Sequence, residues 1–246
     1  MNIQRVNILN TTIDNLTMEE TLQEVSKAIQ DNRLLHHTVV NAGKIVSLQK
    51  DLELRQSVNS AHIINADGQA VVWASKILNK PLKERVAGID LFSSLIKFSF
   101  QNNKKIYLLG AKEEVVKKLT QLIGQDYSTN IIAGYHHGYF DQNKEKKIVQ
   151  EIANSGAHML FVAMNSPKKE IFLNKYKQEL SSLNFIMGVG GSFDVLAGET
   201  KRAPKWMQNA GLEWFYRFIQ EPRRMWKRYL LGNIKFIYLV FKEKIK

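Results

Sequence analysis

The chain contains no cysteine, which excludes disulfide bonds, thiolate metal ligands and a cysteine nucleophile. Its first residues, MNIQRVNILNTTID, lack the basic start and the apolar stretch of a signal peptide. A membrane-spanning helix requires roughly 18 apolar residues, whereas the uncharged apolar run at 236–241 has only six. We therefore expect a cytoplasmic protein that does not cross a membrane.

Several catalytic motifs are missing as well. None of the eight aspartates has another aspartate two residues away, so the Asp-x-Asp clamp that holds a divalent metal in many sugar-nucleotide enzymes is absent. The six histidines include no HExxH pair, and no GxSxG turn carries a serine nucleophile. Neither a complete GxGxxG fingerprint nor a Walker A motif occurs. We expect no metal and no cofactor.

Helix and strand patterns alternate from about residue 17 to residue 190. Thr17 followed by Glu20 is a capping-box signature and predicts a helix to about Gln30. Helical periods predict further helices over 113–123, 144–154 and 168–180. Six short apolar stretches predict strands over 36–40, 62–65, 105–110, 129–135, 158–164 and 184–190. The alternation predicts an α/β fold with a Rossmann-like, mostly parallel sheet flanked by helices.

In such a sheet the ligand lies beyond the carboxyl ends of the strands, so chemistry is expected in the loops that follow them. Asp67 follows one predicted strand, where a carboxylate can act as a general base or orient a sugar hydroxyl. An aspartate before a glycine at such a turn can equally be a helix cap. Asn41, after another strand, can likewise cap the next helix or bind a ligand.

Two further strand-end loops suit an anionic ligand. Backbone N–H groups at a glycine turn such as GVGG, 188–191, bind anions. In NSPKKE, 165–170, Pro167 and Glu170 suit the start of a helix, while the two lysines either bring positive charge to the ligand or are solvated. Without a metal, a departing diphosphate needs cations and amides of the protein.

The last 48 residues are basic and aromatic. From Glu199 onward the sequence has twelve Lys or Arg residues and four acidic residues, so eight of the twelve net positive charges lie there. Pro222 separates a helical stretch, 211–219, from a longer amphipathic one that runs from 223 to about 243. Such a cationic helix favours an anionic membrane surface, and its alternative is packing on the core or in a homo-oligomer interface. We expect a core over 1–198 and a helical membrane-associating appendage over 199–246.

Six motifs extend over nearly the whole chain: NADG at 65–68, ERVAGIDLF at 84–92, HGYF at 137–140, NSPKKE at 165–170, GVGGSFDVLAGETKRAP at 188–204 and GLEWFYRFIQEPRR at 211–224. Together they resemble the WecG/TagA/CpsF family of bacterial glycosyltransferases. The resemblance implies transfer of an N-acetylmannosamine-type or related sugar from UDP to an undecaprenyl-diphosphate-linked acceptor, with inversion and without a metal. It also implies a role in making teichoic acid, enterobacterial common antigen or capsule, at the inner face of the cytoplasmic membrane.

The resemblance also implies residue roles, carried over by matching motif. Asp67 would be the general base that removes the proton of the acceptor hydroxyl as that oxygen attacks the anomeric carbon. Asn41 would help to position donor or acceptor, and the catalytic arginines Arg217 and Arg224 would close over the diphosphates. The residues expected to bind substrate are Asn65, Gly68, Arg85, Gly110, His137, Asn165, Pro167, Lys169, Glu170, Gly188, Gly190, Gly191 and Arg223.

Two positions depart from the family pattern: the family commonly has threonine where this chain has Val39, and glutamine where it has Lys169. A lysine there could favour a more acidic donor, so N-acetylmannosamine, its uronate and a related hexose stay open as donors. One alternative is a catalytically inactive nucleotide-binding scaffold of the same fold at a membrane surface. Another is a nucleic-acid-binding protein; it leaves the strand-end loops without a purpose, and we expect no nucleic-acid partner.

Overall fold

The computed structural model describes residues 3–220, 222–223 and 232–245. The strands are β1 Arg5–Ile8, β2 Thr11–Asp14, β3 Leu35–Val40, β4 Ile63–Ala66, β5 Ile106–Gly110, β6 Ile132–His136, β7 Met159–Ala163 and β8 Phe185–Gly188. The first helices are α1 Met18–Gln30, α2 Ala42–Leu48, α3 Leu52–Asn59, α4 Gln69–Ile77, α5 Gly88–Gln101 and α6 Glu113–Asp126. They are followed by α7 Glu145–Asn154, α8 Lys168–Lys175, α9 Ser192–Leu196, α10 Lys205–Asn209, α11 Glu213–Gln220 and α12 Gly232–Ile245.

The main sheet has its strands in the order β4-β3-β8-β7-β5-β6, and every neighbouring pair is parallel. Parallel strands need crossover connections, and helices supply them here. Because all strands point the same way, their carboxyl ends share one side of the sheet, which we call the carboxyl edge. Any ligand of this fold is expected there.

Helices cover both faces of the sheet. One face packs α1, α5, α6 and α9 into a core that includes Phe92, Phe161, Phe185 and Phe193. The other face packs α7 and α8 over β5, β7 and β8, and α2, α3 and α4 over β3 and β4. After β3 the chain turns to one face and after β8 it turns to the other, so the loops diverge between these neighbouring strands. A crevice at such a divergence is where open α/β sheets bind ligands.

A short antiparallel hairpin, β1 with β2, lies beside β4 and was not predicted from the sequence. Buried Asp14 at its end accepts a hydrogen bond from the backbone N–H of Ile64 at 2.7 Å and one from Arg5 Nε at 2.9 Å. The turn between its strands places Leu9 and Asn10 at positive φ, 51° and 57°. Non-glycine residues adopt that region infrequently, so this turn has no strong local signal.

The predicted α/β fold is confirmed, and each predicted strand overlaps one of β3 to β8. The predicted capping box is present, since Thr17 Oγ1 accepts from Glu20 N and Glu20 Oε2 accepts from Thr17 N. The helix predicted over 168–180 ends at Lys175. Of the long helix predicted from 223 to about 243, residues 224–231 lie outside the described ones.

The end of the chain packs on the core. Phe236 and Val240 of α12 are each only 3% exposed and belong to the apolar cluster of α2 and α4. Glu243 Oε2 accepts a hydrogen bond from the backbone N–H of Leu9 at 3.0 Å. The division into 1–198 and 199–246 stays a prediction. Across the described part of the chain, every helix is too short or too polar to cross a bilayer.

Candidate active site

Asp67 and Asn41 lie next to each other at the carboxyl edge, at the ends of the paired strands β4 and β3. The backbone N–H of Asp67 donates to the carbonyl of Val40 at 2.8 Å, which extends the pairing of these strands by one residue. Asn41 caps α2, because its Oδ1 accepts from the backbone N–H of Lys44 at 3.0 Å. A Cβ at Gly68 would lie 3.5 Å from Asn41 Cβ, so the two loops are in contact.

The carboxyl group of Asp67 is half-buried and electrostatically perturbed. Burial raises the pKa of Asp67 from 3.8 to about 6, while the positive charge of Arg217 lowers it and the negative charge of Glu213 raises it further. Arg85 and Lys44 add smaller lowering effects. A carboxyl with this pKa is mostly ionised at neutral pH and is basic enough to accept a proton, as a general base requires.

Three arginines converge on Glu213 at the start of α11. Arg85 Nη1 lies 3.3 Å from Glu213 Oε2, Arg202 Nε lies 3.3 Å from Oε1, and Arg217 Nη2 lies 3.9 Å from Oε1. Arg202 is also held by Asp90 of α5 through two parallel bonds of 2.6 and 2.9 Å. The network therefore joins the basic carboxyl-terminal segment to the loop before α5, beside Asp67.

Gly211 determines where α11 meets the core. It has a φ of 73°, and a Cβ there would lie 2.7 Å from Gln69 Cβ and 3.7 Å from Trp73 Cη2. Gln69 begins α4, two residues after Asp67. The backbone at Gly211 thus packs against the side chain of Gln69, which brings the start of α11, the helix of Arg217, next to the start of α4.

A second charged cluster lies in the middle of the edge. Lys44 Nζ and Lys169 Nζ each lie 2.7 Å from Glu170 Oε1, and all three side chains are less than 10% exposed. Burial alone would raise the pKa of Glu170, but the two ammonium groups outweigh it and lower that pKa to about 2. Lys44 Nζ also donates to the carbonyl of Val39 at 2.6 Å. The cluster ties the loop after β3 to the loop after β7.

Gly188, at the end of β8, makes room for this cluster. A Cβ at Gly188 would lie 3.0 Å from Lys169 Cδ and 3.3 Å from its Cε. The lysine chain therefore passes directly across the end of the strand between β3 and β7. Because Lys169 is paired with Glu170, much of the positive charge that the sequence assigned to ligand binding is compensated inside the protein.

Asn65 is fully buried in β4 and points into the protein rather than the crevice. Its Oδ1 lies 2.8 Å from His37 Nε2 and 3.3 Å from Thr21 Oγ1. Burial lowers the pKa of His37 to about 4, so this imidazole is neutral at pH 7. Direct substrate contact by Asn65 stays a prediction, and the geometry supports a role in holding the strand end that carries Asp67.

Gly110 and His137 lie far from Asp67 along the edge. Gly110 is the last residue of β5 and His137 follows β6. These strands are four and five positions away from β4 in the sheet, or roughly 19 and 24 Å at the usual strand spacing of about 4.8 Å. Gly110 has φ 132°, and a Cβ there would overlap the carbonyl of Ala163, so a structural reason for glycine exists. His137 Nδ1 accepts from Tyr139 N at 3.1 Å. The structure does not bring this pair together with Asp67.

The remaining predicted residues are spread along the crevice and the tail. Asn165 and Pro167 are exposed at the end of β7, and Gly190 and Gly191 line the turn between β8 and α9. Gly190 has φ 55° with open space around it. Arg223 is exposed, and Arg224 lies outside the described residues. Their roles in binding and catalysis stay predictions.

Sequence reasoning missed four residues that organise the site: Lys44, Asp90, Arg202 and Glu213. Lys44 had a weak signal, since it is a charged residue in the first turn of a helix whose neighbours are apolar. Glu213 and Arg202 were inside recognised motifs but were not separated from the surface charges around them. Within the described residues no group of three or more His, Asp or Glu side chains is arranged to hold a metal ion.

A parallel sheet whose carboxyl edge carries a carboxyl with a raised pKa and converging arginines has the make-up of an enzyme that transfers a group from an anionic donor. The chain belongs to the glycosyl transferase WecG/TagA/CpsF family, whose profile matches residues 6–246. It is a glycosyltransferase.

Curated relatives agree with this assignment. One relative is an N-acetylglucosaminyldiphosphoundecaprenol N-acetyl-beta-D-mannosaminyltransferase of Bacillus subtilis, to which the chain is 38% identical over 195 residues. This alignment covers 79% of this chain and 74% of the relative. The chain is 35% identical to a Staphylococcus aureus protein of the same name over 254 aligned positions, which cover the whole of this chain and 95% of the relative. The likeness therefore includes the basic carboxyl-terminal segment.

Proposed function

We propose that the protein transfers N-acetylmannosamine from a UDP-linked donor to N-acetylglucosaminyl diphosphoundecaprenol. The names of the curated relatives give the transferred sugar and the acceptor, and these relatives align over at least three quarters of the chain. The observation that carries the proposal is the site itself: a half-buried carboxyl with a pKa near 6 faces arginines that belong to a different part of the chain. A base next to concentrated positive charge suits transfer from a diphosphate leaving group.

In the proposed reaction, a hydroxyl oxygen of the acceptor sugar attacks the anomeric carbon of the donor. Asp67 takes the hydroxyl proton, the new glycosidic bond forms, and the bond between the anomeric carbon and the UDP oxygen breaks. UDP leaves with the bonding electrons. Asn41, which lies beside Asp67, is in reach of the same sugar, and its capping bond to Lys44 N fixes its orientation.

The negative charge that develops on the departing UDP requires compensation. Glu213 holds Arg217 and Arg85 at the site through ion pairs, and the positive charge of each arginine lowers the pKa of Asp67. Arg223 and Arg224 follow α11 closely in sequence, and we assign them to the same diphosphate. Positive charges that are already oriented stabilise a transition state better than charges that must move into place.

The proposed acceptor is lipid-linked, and α12 carries a surface suited to an anionic membrane. Its exposed apolar residues recur at spacings of three and four on the side opposite buried Phe236 and Val240. We call them the apolar stripe: Ile234, Ile237, Tyr238, Phe241 and Ile245, which are 54% to 86% exposed. Lysines flank the stripe at 235, 242 and 244. Apolar side chains between cations favour peripheral binding to anionic lipid.

The proposal is tested by incubating the purified chain with UDP-N-acetylmannosamine and a short-chain analogue of the lipid-linked acceptor, and by following release of UDP and the lengthened saccharide. We expect turnover, and at least a hundredfold loss in Asp67→Asn with UDP binding retained, since general base catalysis supplies roughly 10²–10⁴-fold. Asp141→Asn is the control, because Asp141 is exposed and caps a short turn without a side-chain bond.

UDP-N-acetylglucosamine and the uronate of N-acetylmannosamine serve as competing donors in the same assay. We expect the neutral N-acetylmannosamine donor to react fastest, because Glu170 compensates the charge of Lys169. Faster turnover of the uronate would contradict the donor that we propose, and absence of transfer from every UDP-sugar would contradict the function.

A further inference from the structure

The carboxylate of Glu213 lies between two arginines, Arg85 and Arg217. Its Oε2 faces Arg85 at 3.3 Å and its Oε1 faces Arg217 at 3.9 Å. Its side chain is 15% exposed, so it lies inside the cluster rather than on its rim. Together with the charge of Arg217, that of Glu213 is one of the two largest charge effects on Asp67.

The three arginines are not held equally. Arg202 is fixed independently of Glu213, because it makes short paired bonds to Asp90 at 2.6 and 2.9 Å. Among the described residues, the ion pairs of Arg85 and Arg217 are with Glu213, and at 3.3 and 3.9 Å they are longer than the bonds between Arg202 and Asp90. A guanidinium has several N–H donors in a fixed fork, so both arginines have donors to offer an anion with more oxygens than one carboxylate.

We propose that Glu213 is a positioning residue for the donor's diphosphate: it holds Arg85 and Arg217 beside Asp67 in the free enzyme and gives them up when the diphosphate enters. Glu213 then keeps its pair with Arg202, which Asp90 anchors. This inference rests on the proposed function for the identity of the donor. It differs from that function in assigning a specific internal competitor to the diphosphate subsite.

An exchange of this kind has a physical advantage in the free enzyme. Arg85 and Arg217 are attached to different parts of the chain, the loop before α5 and α11, and two unpaired guanidinium groups would repel each other there. The carboxylate removes that repulsion and keeps both groups oriented. The diphosphate carries more charge and more oxygens than a carboxylate, so it can replace Glu213 in both contacts.

The test compares binding of UDP, uridine and inorganic pyrophosphate to the full chain and to Glu213→Gln by titration calorimetry. The amide keeps the size of the side chain but removes the competing charge. We expect UDP and pyrophosphate to bind about three- to tenfold more tightly, the size expected for two partly exposed ion pairs. Uridine, which has no phosphate, is expected to bind unchanged, and a purely structural defect would not separate uridine from UDP in this way.

Glu199→Gln is the matched control, because Glu199 pairs with Lys118 at 2.8 Å on the surface and both side chains are about half exposed. It is expected to leave all three affinities unchanged. If Glu213→Gln does not fold, Glu213→Asp replaces it. The shorter side chain keeps the charge but withdraws from Arg85 and Arg217, and UDP is expected to bind about twofold more tightly.

Unchanged or weaker binding of UDP and pyrophosphate to the folded variants would overturn the exchange. That result leaves the proposed function intact if the unaltered chain still binds UDP and transfers sugar. Failure of the unaltered chain itself to bind UDP would contradict the proposed function. A gain in pyrophosphate affinity in Glu213→Gln would still support the exchange at these arginines.

Discussion

Gly211 and Gln69 approach so closely that a Cβ on Gly211 would lie 2.7 Å from the Cβ of Gln69. The contact joins the start of α11 to the start of α4, immediately after Asp67 and Gly68. Since Arg217 lies on α11, the absence of a side chain at Gly211 controls how near this arginine comes to the proposed base.

Gly211→Ala is therefore expected to impair sugar transfer more than it impairs folding. The new methyl group must push α11 away from α4, which moves Arg217, and we expect turnover to fall by about tenfold or more, as for other small displacements of positioning groups. The measurement is kcat/KM for the donor, with thermal unfolding recorded in parallel.

Gly198→Ala provides the control for backbone strain. Gly198 has φ 77°, close to the 73° of Gly211, but nothing lies within 4 Å of its Cβ position. Both variants should lose about 1 kcal/mol of stability from the left-handed backbone. Equal loss of activity in the two variants would show that strain, and not the position of α11, explains the effect.

The pH dependence of transfer should follow Asp67. Because burial raises the pKa of Asp67 to about 6, its basic form is lost as the pH falls through that value. We expect kcat/KM to be level above about pH 7 and to fall about tenfold per pH unit below pH 6. A limb centred near pH 4, the range of an ordinary aspartate, would count against Asp67 as the base.

Local signals in the sequence were sufficient for much of the fold. The capping residues Thr17 and Asn41 bind backbone groups three residues away. Short apolar runs that alternate with helical patterns suffice to predict a parallel sheet. The loops at the strand ends, including Asp67, could be located from this order alone. These features depend on contacts that are close in sequence or on a rule that holds for every parallel sheet.

The charge networks could not be predicted in the same way. Arg85 and Glu213 are 128 positions apart, and Lys44 and Glu170 are similarly remote in sequence, so their pairing depends on strand order and helix docking. The sequence of α12 likewise has two apolar faces, one with Phe236 and one with Ile237. Only packing against α2 and α4 decides which of them is buried.

The buried cluster of Lys44, Lys169 and Glu170 should be important for stability. Lys44→Met leaves Glu170 with half of its compensating charge and removes the bond to Val39 O, so we expect a loss of about 2–4 kcal/mol in the free energy of unfolding. Denaturant unfolding measures it.

Lys147→Met is the control, because the pair of Lys147 with Glu151 is exposed and 4.0 Å long, and its loss should cost about 0.5 kcal/mol or less. The double variant Lys44→Met/Lys169→Met should lose more stability than the two single changes combined, since only the double variant leaves the buried carboxylate of Glu170 without either ammonium group. If the double variant is as unstable as the two single changes combined, the cluster is not coupled as the geometry indicates.

The apolar stripe of α12 should determine binding to lipid. Replacing Ile237 and Phe241 by glutamine removes two side chains that are each 54% exposed, so the fold should be unaffected. We expect affinity for anionic vesicles to fall by about tenfold or more, because even partial burial of such side chains contributes more than about 1.4 kcal/mol. Sedimentation with phosphatidylglycerol vesicles measures it.

Leu52→Gln, at another exposed apolar position on α3, should bind normally, and a similar loss there would show that the stripe has no special role.

Asp67→Asn should make the folded protein more stable at high pH although it removes activity. The folded pKa of Asp67 is about 6, above the 3.8 of an unperturbed aspartate, so folding favours the neutral carboxyl. The resulting penalty is absent below about pH 4, grows as the pH rises, and is complete above about pH 6. An amide avoids it. Because Asp67 is only half-buried, we expect a gain of about 1–2 kcal/mol at pH 8 and a smaller gain at pH 5.

Unfolding in denaturant at the two pH values measures the difference, with Asp141→Asn expected to show no such trend. A variant that is less stable than the parent at pH 8 would mean that the ionised carboxylate is stabilised by the arginines more than it is destabilised by burial.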